Sequence, residues 1–209
     1  DAASEDAAVA AVAERQFLAA LDHPNVVRIR NFVTHDGAGY IDMEYIGGKS
    51  LKELLKERRE ANAGSIHPLP VDQAIAYALG TLPALAHAHA KGVIHRDVKA
   101  DNVLVSDRHV FLADFGVARA LAAQNAAAVD GTMTGTGAIV GTPAYMAPEQ
   151  IVAGPVAHRT DIYAFGALAY ELLTGLPPFG GTSQEIVAAH LTKSPEPVTQ
   201  GRPDTPPPL

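Results

Sequence analysis

The sequence predicts an α+β fold, one domain or two lobes of one domain, and three observations carry that expectation. Two β-branched and aromatic stretches, Val26 to Val33 and Tyr40 to Ile46, flank an Asp36-Gly37-Ala38-Gly39 turn as paired strands do. Segments 1–21, 71–91 and 160–173 repeat apolar residues at helical spacing. Between the last two lies a polar turn, Val93 to Val105, with an apolar approach and a β-branched exit.

Taken in order, the first helix aligns Val9, Ala13, Phe17 and Leu21 on one stripe, and Pro24 stops it. Glu14 lies just off that stripe, a solvated carboxylate or one facing a cleft. Gly47-Gly48 breaks the second strand, and Lys49 or Ser50 begins a charged helix reaching about Glu60. A loop with Gly64, Pro68 and Pro70 precedes the helix 71–91, which should turn Ile75, Leu79, Leu82 and Leu85 inward and stop at Gly92. His87 and His89, two apart on that helix, face different sides and do not read as a metal pair. Residues 117–140 are Ala-, Gly- and Thr-rich without periodicity and read as a loop. Thr160 should cap the next helix, with Ile162, Phe165, Leu168 and Leu172 buried and Gly175 ending it. A short helix around Ser183–Leu191 follows, and the last fifteen residues, six of them proline, read as a linker.

Composition narrows the function classes. A chain of 209 residues, 47% apolar and 19% charged, can bury a core. A net charge of −7 argues against a nucleic-acid surface, which needs clustered Lys and Arg. The absence of cysteine excludes disulfides and thiolate zinc sites in this segment. No apolar run is long enough for a membrane span and no signal peptide opens the chain, so a soluble, cytoplasmic protein is expected.

The polar turn holds the chemistry. It offers a carboxylate at Asp97, an ammonium at Lys99 and an amide at Asn102, and Asp114-Phe115-Gly116 follows. Phosphoryl transfer from Mg-ATP uses such a set: a carboxylate to orient a hydroxyl, a cation near the moving phosphate, and oxygen ligands for magnesium. The strings His95-Arg96-Asp97-x-Lys99-x-x-Asn102, Asp114-Phe115-Gly116 and Ala147-Pro148-Glu149 resemble the motifs of the protein kinase family in order and spacing, over about Ala13 to Pro178.

That resemblance implies a protein-kinase-like two-lobe fold. Residues 1–46 would form part of the small lobe, 47–194 the large lobe and 195–209 a Pro-rich tail. It implies ATP and Mg2+ as cofactors and Ser/Thr hydroxyls of proteins as acceptors. Asp97 would orient the acceptor hydroxyl, Lys99 would neutralise charge on the transferred group, and Asn102 and Asp114 would hold magnesium. Thr142, in Gly141-Thr142-Pro143-Ala144-Tyr145, would bond Lys99 and Asp97, as in the substrate-docking segment of serine/threonine kinases. Glu14 matches the helix glutamate that pairs with the ATP-site lysine. Met43 matches the gatekeeper, Glu44 and Ile46 would bond adenine through their backbone, and Leu104 would pack beneath its ring. Asp161 resembles the buried aspartate that braces the catalytic loop. Arg96 would pair with a phosphate on Thr132, Thr134 or Thr136, an activation loop that the enzyme phosphorylates itself.

Glu14 to Ala19, Asn31-Phe32-Val33, Gly39-Tyr40-Ile41 and Met43-Glu44-Tyr45 are similar to the actinobacterial protein kinase G subfamily. That subfamily carries flanking metal-binding and repeat domains, and it typically lacks the His-Arg that is intact here at His95-Arg96. Membrane-anchored bacterial sensor kinases resemble the second half equally well. No Gly-rich phosphate loop precedes Glu14 and no lysine precedes Lys49, so the 209-residue segment by itself is expected to be inactive. The competing expectation is a pseudokinase or binding module; intact Asp97, Asn102 and Asp114 favour the enzyme.

Overall fold

The computed structural model describes residues 21–35, 38–115 and 143–205. The helix expected over 1–21 and the loop 117–140 lie outside them, as do Glu14, Thr132, Thr134, Thr136 and Thr142.

Strands β1 (Ile29–His35) and β2 (Ala38–Met43) pair antiparallel; Ala38 and Gly39, expected in the turn, belong to β2 opposite His35 and Thr34. The hairpin starts later than the sequence suggests, because Val26 pairs elsewhere, in a parallel bridge to Leu112. Val27 N–H donates to the Leu112 carbonyl at 3.0 Å, and Leu112 N–H donates to that of Asn25 at 2.8 Å.

A second sheet joins β3 (Lys49–Ser50), β4 (Val103–Ser106) and β5 (His109–Leu112), all antiparallel. Ser50 ends β3 and caps helix α1 (Leu51–Ala61). Its Oγ accepts from Glu53 N–H at 3.2 Å while Glu53 Oε2 accepts from Ser50 N–H at 2.7 Å, a reciprocal capping box. The Ser50 backbone N–H also holds the Glu53 carboxyl below its ordinary pKa.

Helix α2 (Val71–Ala90) ends at Gly92, whose φ of +74° closes the turn as expected. Of the expected stripe Leu85 is buried and Ile75 and Leu82 are partly buried, but Leu79 is not. Ala74, Tyr77, Thr81, Ala84, Leu85 and Ala88 point inward, whereas Leu79 is 59% exposed. Close approach explains the choice: a Cβ added at Gly80 would lie 2.6 Å from Val110 Cγ2, so only the small-residue face lets β5 come this near.

Helices α3 (Pro148–Ile151), α4 (His158–Thr174), α5 (Ser183–Thr192) and α6 (Val198–Gly201) complete the described chain. Thr160 does not cap α4. It sits in the first turn, where its Oγ1 accepts from Ala157 N–H at 3.1 Å and donates to Glu149 Oε1 at 2.6 Å. In α4, Leu168 and Leu172 are buried as expected, but Ile162 is 51% exposed because the inward position of that turn belongs to Asp161. The proline-rich end is held in place through Thr205. Arg202 donates to the carbonyls of Leu69 and Leu173, and Thr205 is buried; residues 206–209 lie outside the described ones.

One core unites these elements, with Leu51, Leu55, Leu85, Val98, Val103, Leu112, Phe115, Leu168 and Leu172 at its centre. The 93–105 turn lies against it, with Asn102 buried, Lys99 partly buried and Asp97 exposed.

Candidate active site

The polar turn begins with a backbone that resists its own geometry. Arg96 has φ +70°, the left-handed region that a long side chain rarely occupies. Neighbours hold it there. Asp161, fully buried at the start of α4, accepts from His95 N–H at 2.8 Å through Oδ2 and from Arg96 N–H at 2.7 Å through Oδ1. Gln150 Nε2 donates to the Arg96 carbonyl at 2.8 Å.

His95 points into the core and is 1% exposed. Its Nε2 lies 2.8 Å from the Ala113 carbonyl, and Asp97 N–H donates to its Nδ1 at 3.2 Å. Those partners assign the neutral ring with the proton on Nε2. Burial drives its pKa down, against the opposing pull of Asp161 and the Ala113 carbonyl. His95 thus links the turn to the segment carrying Asp114, and its ring packs on Phe115 at 4.5 Å between centroids.

With the turn fixed, three side chains converge. Lys99 Nζ donates to Asp97 Oδ2 at 2.6 Å. Asn102 Nδ2 donates to the same oxygen at 3.1 Å and to the Asp97 carbonyl at 2.8 Å. Both side-chain contacts fall on Oδ2, which leaves Asp97 Oδ1 facing outward on a side chain 59% exposed. Asn102 is buried in a 3-10 turn, Ala100–Asn102, and Ala113 N–H donates to its carbonyl at 2.8 Å. That bond sets the following residue, Asp114, beside it. Asp114 is exposed and also left-handed, at φ +61°.

The donor set fits magnesium. Because Asn102 Nδ2 is committed to Asp97, its amide presents Oδ1 as a hard oxygen, and Asp114 offers a carboxylate. Among the described residues no group of three His, Cys, Asp or Glu could hold a metal.

Of the residues expected to frame a nucleotide, Met43 is partly buried against the core and pairs with Ile29 in the hairpin. Glu44 N–H is used by the Arg28 carbonyl at 2.8 Å, so any bond from Glu44 to a base would come from its own carbonyl. Ile46 and Leu104 are half-buried, and Leu104 sits in β4 opposite Ser50 and Phe111.

Sequence reasoning passed over several supporting groups. His89 Nε2 lies 2.7 Å from Asp161 Oδ2, and its ring stacks on His158 at 4.4 Å. Gln150 carries no motif signal of its own. Tyr145 donates its hydroxyl to Glu171 Oε2, tying the 3-10 turn Pro143–Tyr145 to α4. Burial, then the neighbouring Glu171 carboxylate, pushes the Tyr145 phenol well above its ordinary pKa, and burial likewise raises Glu171.

Comparison with known proteins agrees with the motifs. The protein kinase domain family matches residues 1–205. The chain is 39% identical over 192 residues to serine/threonine-protein kinase pkn3 of Myxococcus xanthus, covering 88% of this chain and 33% of that protein. It is 42% identical over 176 residues to serine/threonine-protein kinase PknG of Mycobacterium leprae, covering 82% of this chain and 21% of that one. The chain thus spans at most about a third of these relatives. Among solved structures, the PknI kinase domain of Mycobacterium tuberculosis superposes with a TM-score of 0.68 at 25% identity, covering 95% of this chain and 65% of that one. Motifs, fold and relatives converge: the chain belongs to the protein kinase domain family.

Proposed function

We propose that this chain is the catalytic part of a bacterial serine/threonine protein kinase, acting on Ser or Thr hydroxyls of protein substrates. One observation carries the reading: Lys99 Nζ and Asn102 Nδ2 both occupy Asp97 Oδ2, which orients the carboxylate and leaves Oδ1 for an acceptor hydroxyl. Mg-ATP, when bound, supplies the phosphoryl group. Oδ1 accepts a hydrogen bond from the hydroxyl, aligns its oxygen, and would take up the proton as the new P–O bond forms and the bond from the γ-phosphorus to the bridging oxygen breaks, releasing ADP. Lys99 stands beside that carboxylate to offset negative charge on the moving group. Asn102 Oδ1 and Asp114 would hold magnesium, while Met43, Glu44, Ile46 and Leu104 would frame the adenine.

The relatives' names support a Ser/Thr acceptor, as does the Gly141-Thr142-Pro143 sequence before the described turn, where Thr142 would bond Lys99 and Asp97. Arg96 would order the activation loop by pairing with a phosphate on Thr132, Thr134 or Thr136, and Glu14 would pair with an ATP-site lysine. Mass spectrometry after incubation with ATP checks the first of these; an unmodified loop in a fully active enzyme would remove it. Signalling by protein phosphorylation is the role this implies. A cytoplasmic location belongs to this reading because the reaction draws on ATP. No helix among the described residues is long and apolar enough to cross a membrane.

The direct test is transfer of labelled phosphate from ATP to a generic protein substrate by the full-length protein. Wild type should label Ser or Thr, and Asp97→Ala should not. Equal labelling by both would overturn the assignment.

A further inference from the structure

Helix α3 buries none of its own residues, so its side chains act through polar contacts, and two neighbours reach in different directions. Glu149 Oε1 accepts from Thr160 Oγ1 at 2.6 Å, which ties α3 to the first turn of α4. Gln150 reaches the other way, to the polar turn 54 positions earlier, and its amide is used at both ends. Its Oε1 accepts from Ala147 N–H at 3.0 Å, and its Nε2 donates to the Arg96 carbonyl at 2.8 Å. These partners admit one orientation of the amide, since a flip would set donor against donor and acceptor against acceptor. Ala147 is fully buried just after the Pro143–Tyr145 turn, so that end of the bridge is anchored in packed backbone.

What Nε2 holds is one peptide group. The Arg96 carbonyl and the Asp97 N–H share a plane; Gln150 fixes its oxygen, and His95 Nδ1 accepts from its N–H at 3.2 Å. Asp161 fixes the preceding plane through Arg96 N–H at 2.7 Å. Two planes pinned on either side of Arg96 hold its φ at +70°, and the second sets the direction in which the Asp97 side chain leaves the backbone. At 2.8 Å against 3.2 Å, the bond from Gln150 is the tighter restraint on that second plane.

We propose that Gln150 is a positioning residue for phosphoryl transfer: it fastens the segment from Pro143 to Ile151 to the peptide plane that aims Asp97. For the reaction this rests on the kinase reading; the bridge itself does not. Lys99 and Asn102 hold the Asp97 carboxylate from the chain that follows it. Gln150 holds the backbone that precedes it, from the element just past the segment expected to dock the acceptor. The base and the acceptor platform are thereby kept in register.

The test uses the full-length protein, Mg-ATP and a Ser/Thr peptide that the wild type phosphorylates. Gln150→Glu keeps the shape and the acceptor for Ala147 N–H but sets a carboxylate oxygen against the Arg96 carbonyl. Gln150→Met keeps the bulk and loses both bonds. At about pH 8 each should slow single-turnover transfer about tenfold, the size of one hydrogen bond in the barrier. The KM for ATP and the unfolding midpoint should stay close to wild type, because α3 buries nothing. As pH falls towards about 5 the new carboxyl takes up a proton and becomes a donor again. The rate of Gln150→Glu relative to wild type should then recover, and that of Gln150→Met should not. Wild-type transfer in both variants, no recovery of Gln150→Glu in acid, or a midpoint that falls in step with the rate would overturn the proposal. Amide exchange at Asp97, read without ATP at about pH 8, should quicken in both variants. If Gln150→Met does not fold, the rate, pH profile and exchange of Gln150→Glu decide. Should the wild type transfer no phosphate, the kinase reading fails, and exchange at Asp97 decides the bridge alone: faster exchange supports it and wild-type exchange refutes it.

Discussion

Asp161 Oδ1 accepts the backbone N–H of Arg96 at 2.7 Å across 65 positions of sequence, and Arg96 has φ +70°. A residue in the left-handed region stores on the order of 1–3 kcal/mol unless its surroundings hold it. Here a fully buried carboxylate does so, with His95 N–H and His89 Nε2 on its other oxygen. The direction in which Asp97 points is thus set from α4.

Replacing that carboxylate should be felt in both stability and activity. Asp161→Asn turns an acceptor into an NH2 against a backbone N–H, and Asp161→Ala leaves all three donors unmet. Urea unfolding should show a loss of roughly 2–4 kcal/mol in the alanine variant, with phosphoryl transfer greatly reduced. A change below about 0.5 kcal/mol would contradict the bracing role.

Asp97 should behave in the opposite way. Its side chain is 59% exposed, so Asp97→Asn should leave the unfolding midpoint nearly unchanged while lowering kcat by about 10²–10⁴-fold, the range for losing a general base. Parallel loss of stability and activity would mean that the carboxylate is structural.

Acid should destabilise the fold through His95. The native ring is neutral because burial lowers its pKa, whereas the unfolded chain takes up a proton around 6.5. Below that value the unfolded state binds more protons, so stability falls as pH falls, at up to about 1.4 kcal/mol per pH unit for this one group. Denaturant titrations between pH 7 and 5 measure the slope. His95→Phe, weaker at every pH for want of its bond to Ala113, should show a shallower one.

Two glycines should respond with opposite sign. A Cβ at Gly48 would stand 2.2 Å from the Val105 carbonyl oxygen, so Gly48→Ala should push β3 off β4 at a cost of about 1–3 kcal/mol. Gly166 sits in α4 with nothing near its Cβ position, and Gly166→Ala should stabilise by about 0.5–1 kcal/mol. Thermal melts of the two variants decide both.

Much was legible in the chain itself. The helix start at 49–50, the glycine stops at 92 and 175, and the hairpin turn at 36–39 follow from local backbone preferences; the structure keeps Gly92 and Gly175 as stops and makes Ser50 the cap. Asp97, Lys99 and Asn102 lie within one short turn, so their convergence needs no tertiary information. Which face of α2 goes inside was not local. Leu85 goes in as its spacing predicts, yet Leu79 stays out, and the close packing of Gly80 on Val110 brings Ala74, Ala84 and Ala88 inward beside it.

By itself, then, the sequence determined the elements, the polar turn and the family, because caps, turns and a short catalytic string are written in neighbouring residues. Only the tertiary structure decided what holds that turn in place: Asp161, Gln150 and the buried His95 reach it from far along the chain. It also decided that Arg202 reaches the carbonyls of Leu69 and Leu173. Hydrogen bonds between distant segments form only where packing has removed water, and no local spacing rule records which partners will meet there.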